Sequence, residues 1–137
     1  MDPILQSFLN GFPTLLLHFS VTIAMLLSGV WIYQLITPLR EMTLIRAGNT
    51  AAATSFAGAI LGLSIPLAFC MATSVGVLDI VIWGLVALFI QLMTFRLLDI
   101  FLKELPKRIE NGEMGAAILV VAVKLAVGMI NAAAIAG

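Results

Sequence analysis

Charge is what this sequence has least of. Only 10% of its 137 residues are Asp, Glu, Lys or Arg, against about 25% in a soluble domain. Seven basic and seven acidic residues give a formal net charge of zero, so no long-range attraction to nucleic acid is expected. There is one cysteine, Cys70, which excludes an intrachain disulfide and a paired-cysteine metal motif. There is one histidine, His18. It has no second His, Cys or carboxylate at ligand spacing, so no metal site is expected. No Ser-His-Asp set, phosphate loop or paired-carboxylate motif occurs, so neither catalysis nor a cofactor is expected. The opening MDPILQSFLNGFP lacks the basic region of a secretory signal, and no small-residue cleavage site follows. The first hydrophobic segment is therefore expected to be retained.

What is present is hydrophobic residue, at 62%, arranged in four runs. They span about Thr14–Ile36, bounded by Pro13 and Pro38, then about Thr50–Val77, Asp79–Leu102 and Met114–Ala136. Each is long enough to cross a hydrocarbon core of about 30 Å as a helix rising 1.5 Å per residue. Backbone groups in lipid must be satisfied internally, and continuous apolar runs do not alternate as barrel strands do. The expected fold is all-α: one integral membrane domain, residues 1–137, of four transmembrane helices with the bilayer as solvent. Trp31, Tyr33 and Trp83 lie toward span ends, where aromatic anchors sit at a membrane interface.

The basic residues are sorted by side. Arg40 and Arg46 lie between spans one and two. Lys103, Lys107 and Arg108 lie between spans three and four, and Arg96 approaches the same side. The other side carries Asp2 and Asp79 and no Lys or Arg. The positive-inside rule then places both basic connectors in the cytoplasm and both termini outside it.

A shift of 64 residues aligns the two halves, about 14–77 and 78–137, without gaps. Ile45-Arg46-Ala47-Gly48-Asn49-Thr50 falls on Ile109-Glu110-Asn111-Gly112-Glu113-Met114. Each reads as a glycine turn into a helix cap. Two hairpins repeated in parallel are expected, related by an axis along the membrane normal. Gly58 and Gly62 form a Gly-x-x-x-Gly pair, with Ala122 and Ala126 at the matching places in the fourth span. Small residues at this spacing let membrane helices pack closely. Pro66, on the same face, should kink the second span.

The polar set inside the membrane is small. Lys124 stands alone near the middle of the fourth run, where a charge costs about 2.5–3.5 kcal/mol on insertion scales. Asn131, seven residues on, shares its face. Gln91 lies at similar depth in the third span, and His18 near the depth of Asn131. Arg96 and Asp99, three apart, are placed to pair. Lys124 admits three readings. It snorkels or bonds to Gln91 or to a carbonyl freed near Pro66. It lines a path, where a ring of lysines in a homo-oligomer would favour anions. Or it is a proton-linked site, since desolvation favours a neutral amine.

The segments Ile45-Arg46-Ala47-Gly48-Asn49-Thr50-Ala51-Ala52-Ala53, Gly58 with Leu61-Gly62 and Ile65-Pro66-Leu67, and Gly128-Met129-Ile130-Asn131-Ala132-Ala133 carry a resemblance. Across nearly its whole length the chain resembles the YjfL-like (YshE-like) domain-of-unknown-function family, DUF350, of small bacterial membrane proteins. The resemblance implies four transmembrane helices in a bacterial inner membrane. It implies company with envelope-stress and membrane-associated proteins, and it carries over no active site. The expected function is an oligomeric assembly or stress-associated membrane component. Its partners are the bilayer, further copies of itself, and a membrane or cytoplasmic protein touching the basic connectors. The alternative is an oligomeric channel or transporter with Lys124, Asn131 and Gln91 lining an anion or solute path.

Overall fold

The computed structural model describes residues 2–137. They are helical, with no strand among them: α1 (Pro3–Ile36), α2 (Glu41–Arg46), α3 (Thr50–Thr73), α4 (Val77–Phe101), α5 (Glu104–Glu110) and α6 (Met114–Ala136). The four long helices are each apolar and long enough to cross a membrane. Both expected connectors contain a short helix, α2 and α5.

The long helices depart from the sequence reading mainly at the start of α1. Pro13 does not bound it. The helix begins ten residues earlier, where Asp2 accepts a hydrogen bond from the Ile4 N–H at 2.9 Å and proline occupies the first turn. That cap and a proline at the first turn are a stronger start signal than a proline mid-run, which apolar surroundings tolerate. At 34 residues α1 is about 51 Å long, well beyond a hydrocarbon core. Only Met25, Gly29 and Tyr33 of it are buried. At the next turn, α3 ends at Thr73 and α4 starts at Val77. Asp79 lies in the first turn of α4 and accepts from the Val75 N–H at 3.1 Å.

The two glycine turns make the same bonds 64 residues apart. Gly48 N–H donates to the Ile45 carbonyl and Asn49 N–H to that of Leu44, both at 2.9 Å. Gly112 N–H donates to Ile109 at 2.9 Å and Glu113 N–H to Arg108 at 3.0 Å. This is the Schellman closure, with the left-handed residue just past the helix end. Gly48 has φ +90° and Gly112 φ +85°, a conformation that any Cβ would strain. Asn49 then caps α3, accepting from Ala52 N–H at 3.0 Å. Its amide also donates to the carbonyls of Ile109 and Glu110 at 3.0 and 3.1 Å. The two connectors therefore lie together at one end of the bundle, over a core of Leu39, Ala51, Ala52, Leu105, Ile109, Ala116 and Ala117.

The most extensive packing is between α3 and α6. A Cβ on Gly58 would stand 3.0 Å from the Cα of Val121, and one on Gly62 3.0 Å from the Lys124 carbonyl. A Cβ on Gly128 would stand 2.7 Å from the Gly62 carbonyl oxygen. That carbonyl is the one Pro66 leaves without its helical N–H. Gly58 and Gly62 are thus taken up by α6 of the same chain. Ala122 and Ala126 are exposed and make no part of this contact. Gly128, on the Lys124 face, faces Gly62 instead.

These distances rank the glycines. Gly128→Ala should lower stability in mild detergent by about 1–3 kcal/mol, because backbone must move. At Gly84 the added methyl meets the flexible end of Met25 and, at 3.4 Å, a methyl of Leu67, with no backbone atom among them. Gly84→Ala should therefore be near neutral, offset by about 0.5–1 kcal/mol of helix preference. Thermal unfolding of the two variants side by side checks the order.

Candidate functional site

The buried polar side chains are Glu41, Ser55, Gln91, Lys124 and Asn131. With Tyr33, which is 1% exposed, all but Ser55 form two bonded groups stacked along the bundle. Tyr33 stands three residues before the end of α1. It is an internal residue, not an interface anchor, packed edge-on against Phe95 with ring centroids 5.9 Å apart. Trp31 and Trp83 are exposed.

The first group lies toward the connector end. The Lys124 ammonium donates to the Tyr33 hydroxyl oxygen at 2.6 Å. The Tyr33 hydroxyl donates in turn to Glu41 Oε1 at 2.6 Å. A lysine on α6, a tyrosine on α1 and a glutamate opening α2 thus form one line. Lys124 Nζ is also 5.3 Å from the centre of the Phe95 ring, within reach of a cation–π attraction. The helix axis is not the source of this geometry; the turn at Thr37–Arg40 is. It folds α2 back under the bundle and carries Glu41 inward, to 3% exposure.

Beside this line is a cavity of about 20 Å³, room for one water. Glu41, Asp99, Lys124 and Ser55 contribute to its wall, as do Leu105, Pro106 and Ile109 of the α5 segment. Glu41 Oε2 is buried and, among the described residues, has no hydrogen-bond partner. Burial pushes the Glu41 carboxyl above the usual carboxylate range, against the Lys124 charge and the Tyr33 hydrogen bond, which pull it down.

The second group lies nearer the opposite end. Asn131 Nδ2 donates to Gln91 Oε1 at 3.1 Å and to the Ala87 carbonyl at 3.2 Å. Gln91 Nε2 approaches the Lys124 backbone carbonyl at 3.5 Å. Gln91 thus sits between Lys124 and Asn131, meeting the lysine's backbone and not its amine. Asn131 also borders a hollow of about 630 Å³ at the opposite end, with Asp79, Thr73 and Ser74 on its wall.

Lys124, Gln91 and Asn131, which the sequence singles out, are therefore brought together. His18 is not: it is half-buried on α1, and only its backbone carbonyl is engaged, by Thr22 Oγ1 at 2.7 Å. Arg96 and Asp99 do not form an ion pair. The one salt bridge among the described residues joins Arg108 to Glu113 at 2.8 Å. Asp99 lines the inner cavity, and Arg96 lines a groove between α1 and α4. Arg40, Arg46, Lys103, Lys107 and Arg108 are all exposed on the connectors. Sequence reasoning missed Tyr33 and Glu41. The structure supplies Lys124 with a carboxylate from the connector, one tyrosine away. The sign available was Glu41 itself, an acid between two arginines in a connector otherwise read as basic.

No group of three or more His, Cys, Asp or Glu side chains among the described residues is placed to hold a metal ion.

Comparison with known proteins agrees with the architecture. The family described as Domain of Unknown Function (DUF350) matches residues 7–135. The "UPF0719 inner membrane protein YjfL" of Escherichia coli (strain K12) is 36% identical over 116 residues, covering 85% of this chain and 88% of the relative. The protein of the same name from Escherichia coli O157:H7 matches to the same extent. No solved structure matches significantly. A family match over almost the whole chain, together with relatives at this identity, establishes that the chain belongs to the DUF350 family of membrane proteins.

Proposed function

We propose that this protein is an inner-membrane component whose working element is a proton site at Glu41, Tyr33 and Lys124, entered from the connector end. The observation that carries this reading is the unpartnered Oε2 of Glu41 beside a one-water cavity. A buried carboxylate oxygen without a donor is costly, and protonation or a bound water relieves the cost. The cavity gathers one ammonium and two carboxyl groups, Glu41 and Asp99. With all three ionised it holds one surplus negative charge, which one proton neutralises. Tyr33 is both acceptor from Lys124 and donor to Glu41, so a proton can shift along the line without side-chain movement. Gln91 and Asn131 continue the polar file toward the opposite hollow. This is the proton-linked reading of Lys124, with Glu41 supplying a carboxylate. Lys124 is 3% exposed within its own chain, whereas a ring of lysines around an oligomer axis would need it outside.

The assembly reading keeps one support of its own. α1 is longer than the bundle and buries only three residues, so most of its apolar surface is free for lipid or for another protein. The basic connectors, all exposed, suit anionic lipid or a soluble partner, at about 1 kcal/mol per basic residue near the surface. The matching glycine turns support the duplicated-hairpin reading.

Vesicles containing the purified protein and a trapped pH dye, energised by a potassium diffusion potential, test the proton reading. The wild type should acidify or alkalinise the lumen, and Glu41→Gln and Tyr33→Phe should slow this at least about tenfold, as expected if the charged line carries the proton. Equal rates in empty and loaded vesicles would sink it.

Stability should also report Glu41. Its folded-state carboxyl binds a proton more tightly than the unfolded one, so the folded protein holds more protons between the usual carboxylate range and the raised value. Stability then falls as pH rises through that window. Subtracting Glu41→Gln melting curves from wild-type curves, from acid to neutral pH, should isolate this decline. A difference that is flat or of opposite sign would count against it.

The orientation follows from the sorting of basic residues. A phosphatase fused after Gly137 should be active outside the cytoplasm, and a green fluorescent protein fused there dark. The reverse pattern would invert the topology.

A further inference from the structure

Outside the polar file lies a groove on the outer face between α1 and α4, of about 650 Å³. That falls within the roughly 300–1,000 Å³ of ligand pockets. Its walls are apolar, and its floor is opened by the small exposed residues Ala24 and Ser28. Along α1 it runs from Val21 to Ile36, about 22 Å at helical rise, and along α4 from Leu85 to Arg96, about 16 Å. Half of a hydrocarbon core is about 15 Å. The groove is therefore about one leaflet long on α4 and longer on α1.

It is capped by charge at one end only. Arg96 lies at the connector end of the groove, is exposed, and has no salt-bridge partner among the described residues. Asp99, three residues on, faces the inner cavity instead. An arginine beside an apolar slot presents a planar fork to a phosphate diester while the slot takes a hydrocarbon chain.

We infer that the α1–α4 groove is a binding site for one anionic phospholipid of the connector-side leaflet, with an acyl chain along α1 and its phosphate on Arg96. The charge at the groove's end selects the occupant. A zwitterionic lipid brings its own cation to the arginine, whereas an anionic headgroup adds only negative charge. The site is independent of the proton reading, since it shares no residue with the inner cavity.

Native mass spectrometry of the protein, exchanged in mild detergent with phosphatidylglycerol or phosphatidylcholine, tests this. The wild type should retain one phosphatidylglycerol with about a tenfold preference over phosphatidylcholine, of the order expected for one charge-assisted contact. Arg96→Gln should remove the preference, and Ala24→Trp, which fills the slot from an exposed position, should remove retention with Arg96 intact. The inference is overturned if Arg96→Gln retains phosphatidylglycerol as the wild type does. It is also overturned if Ala24→Trp, with an unchanged melting temperature, keeps the lipid, or if a lipid-free dimer fills the groove with a second copy's helix.

Discussion

The bond from the Lys124 ammonium to the Tyr33 hydroxyl sets the arrangement of the rest. A lone charge on a helix that lipid surrounds has no water to solvate it, so its acceptor must come from protein. Turning α6 to bring Lys124 to Tyr33 also turns Gly128 and Asn131 inward, because they share its face. Gly128 then meets the Gly62 carbonyl, and Asn131 meets Gln91. The opposite face, with Ala122 and Ala126, is left outside. One rotation satisfies a charge, a close backbone contact and an amide pair together.

The same contact shows why glycine and proline fall where they do in α3. Without a hydrophobic effect between helices, attraction depends on how closely the backbones approach. Gly58 and Gly62 remove side chains from the α3 surface, and Gly128 removes one from α6. Pro66 leaves the Gly62 carbonyl without its own helical partner, and that oxygen is the one facing Gly128. A Cβ at 128 would therefore collide with the polar atom that most needs a neighbour.

The spans were legible because length and apolarity in lipid decide them: α6 is bounded by the same residues in sequence and structure. The glycine turns were legible because a left-handed residue after a helix favours one residue type, and Gly48 and Gly112 take that conformation. The face carrying Lys124 and Asn131 followed from helical periodicity. The partners of Lys124 did not. Tyr33 reads as an interfacial aromatic by position, and Glu41 as part of a charged connector. Their burial arises from α2 folding beneath the bundle, a tertiary event at Thr37–Arg40 that no period encodes. Ala122 and Ala126 failed for a related reason. Alignment with Gly58 and Gly62 assumed that matching positions face each other, whereas α3 and α6 meet on the face that Lys124 occupies.

Buried charge of this kind rarely adds stability, because desolvating each ion costs more than a hydrocarbon in its place. A cheaper sequence would put leucine at 124 and a neutral residue at 41. On the proton reading proposed above, the charged line provides instead a defined set of protonation states inside an otherwise uniform apolar medium. On α4 the same logic divides two neighbours. Arg96 and Asp99 are only about 60° apart around the helix, yet one borders the outer groove and the other the inner cavity. Pairing would cancel both. Kept apart, the cation faces the lipid and the acid faces Lys124, so the helix carries opposite charges to opposite environments.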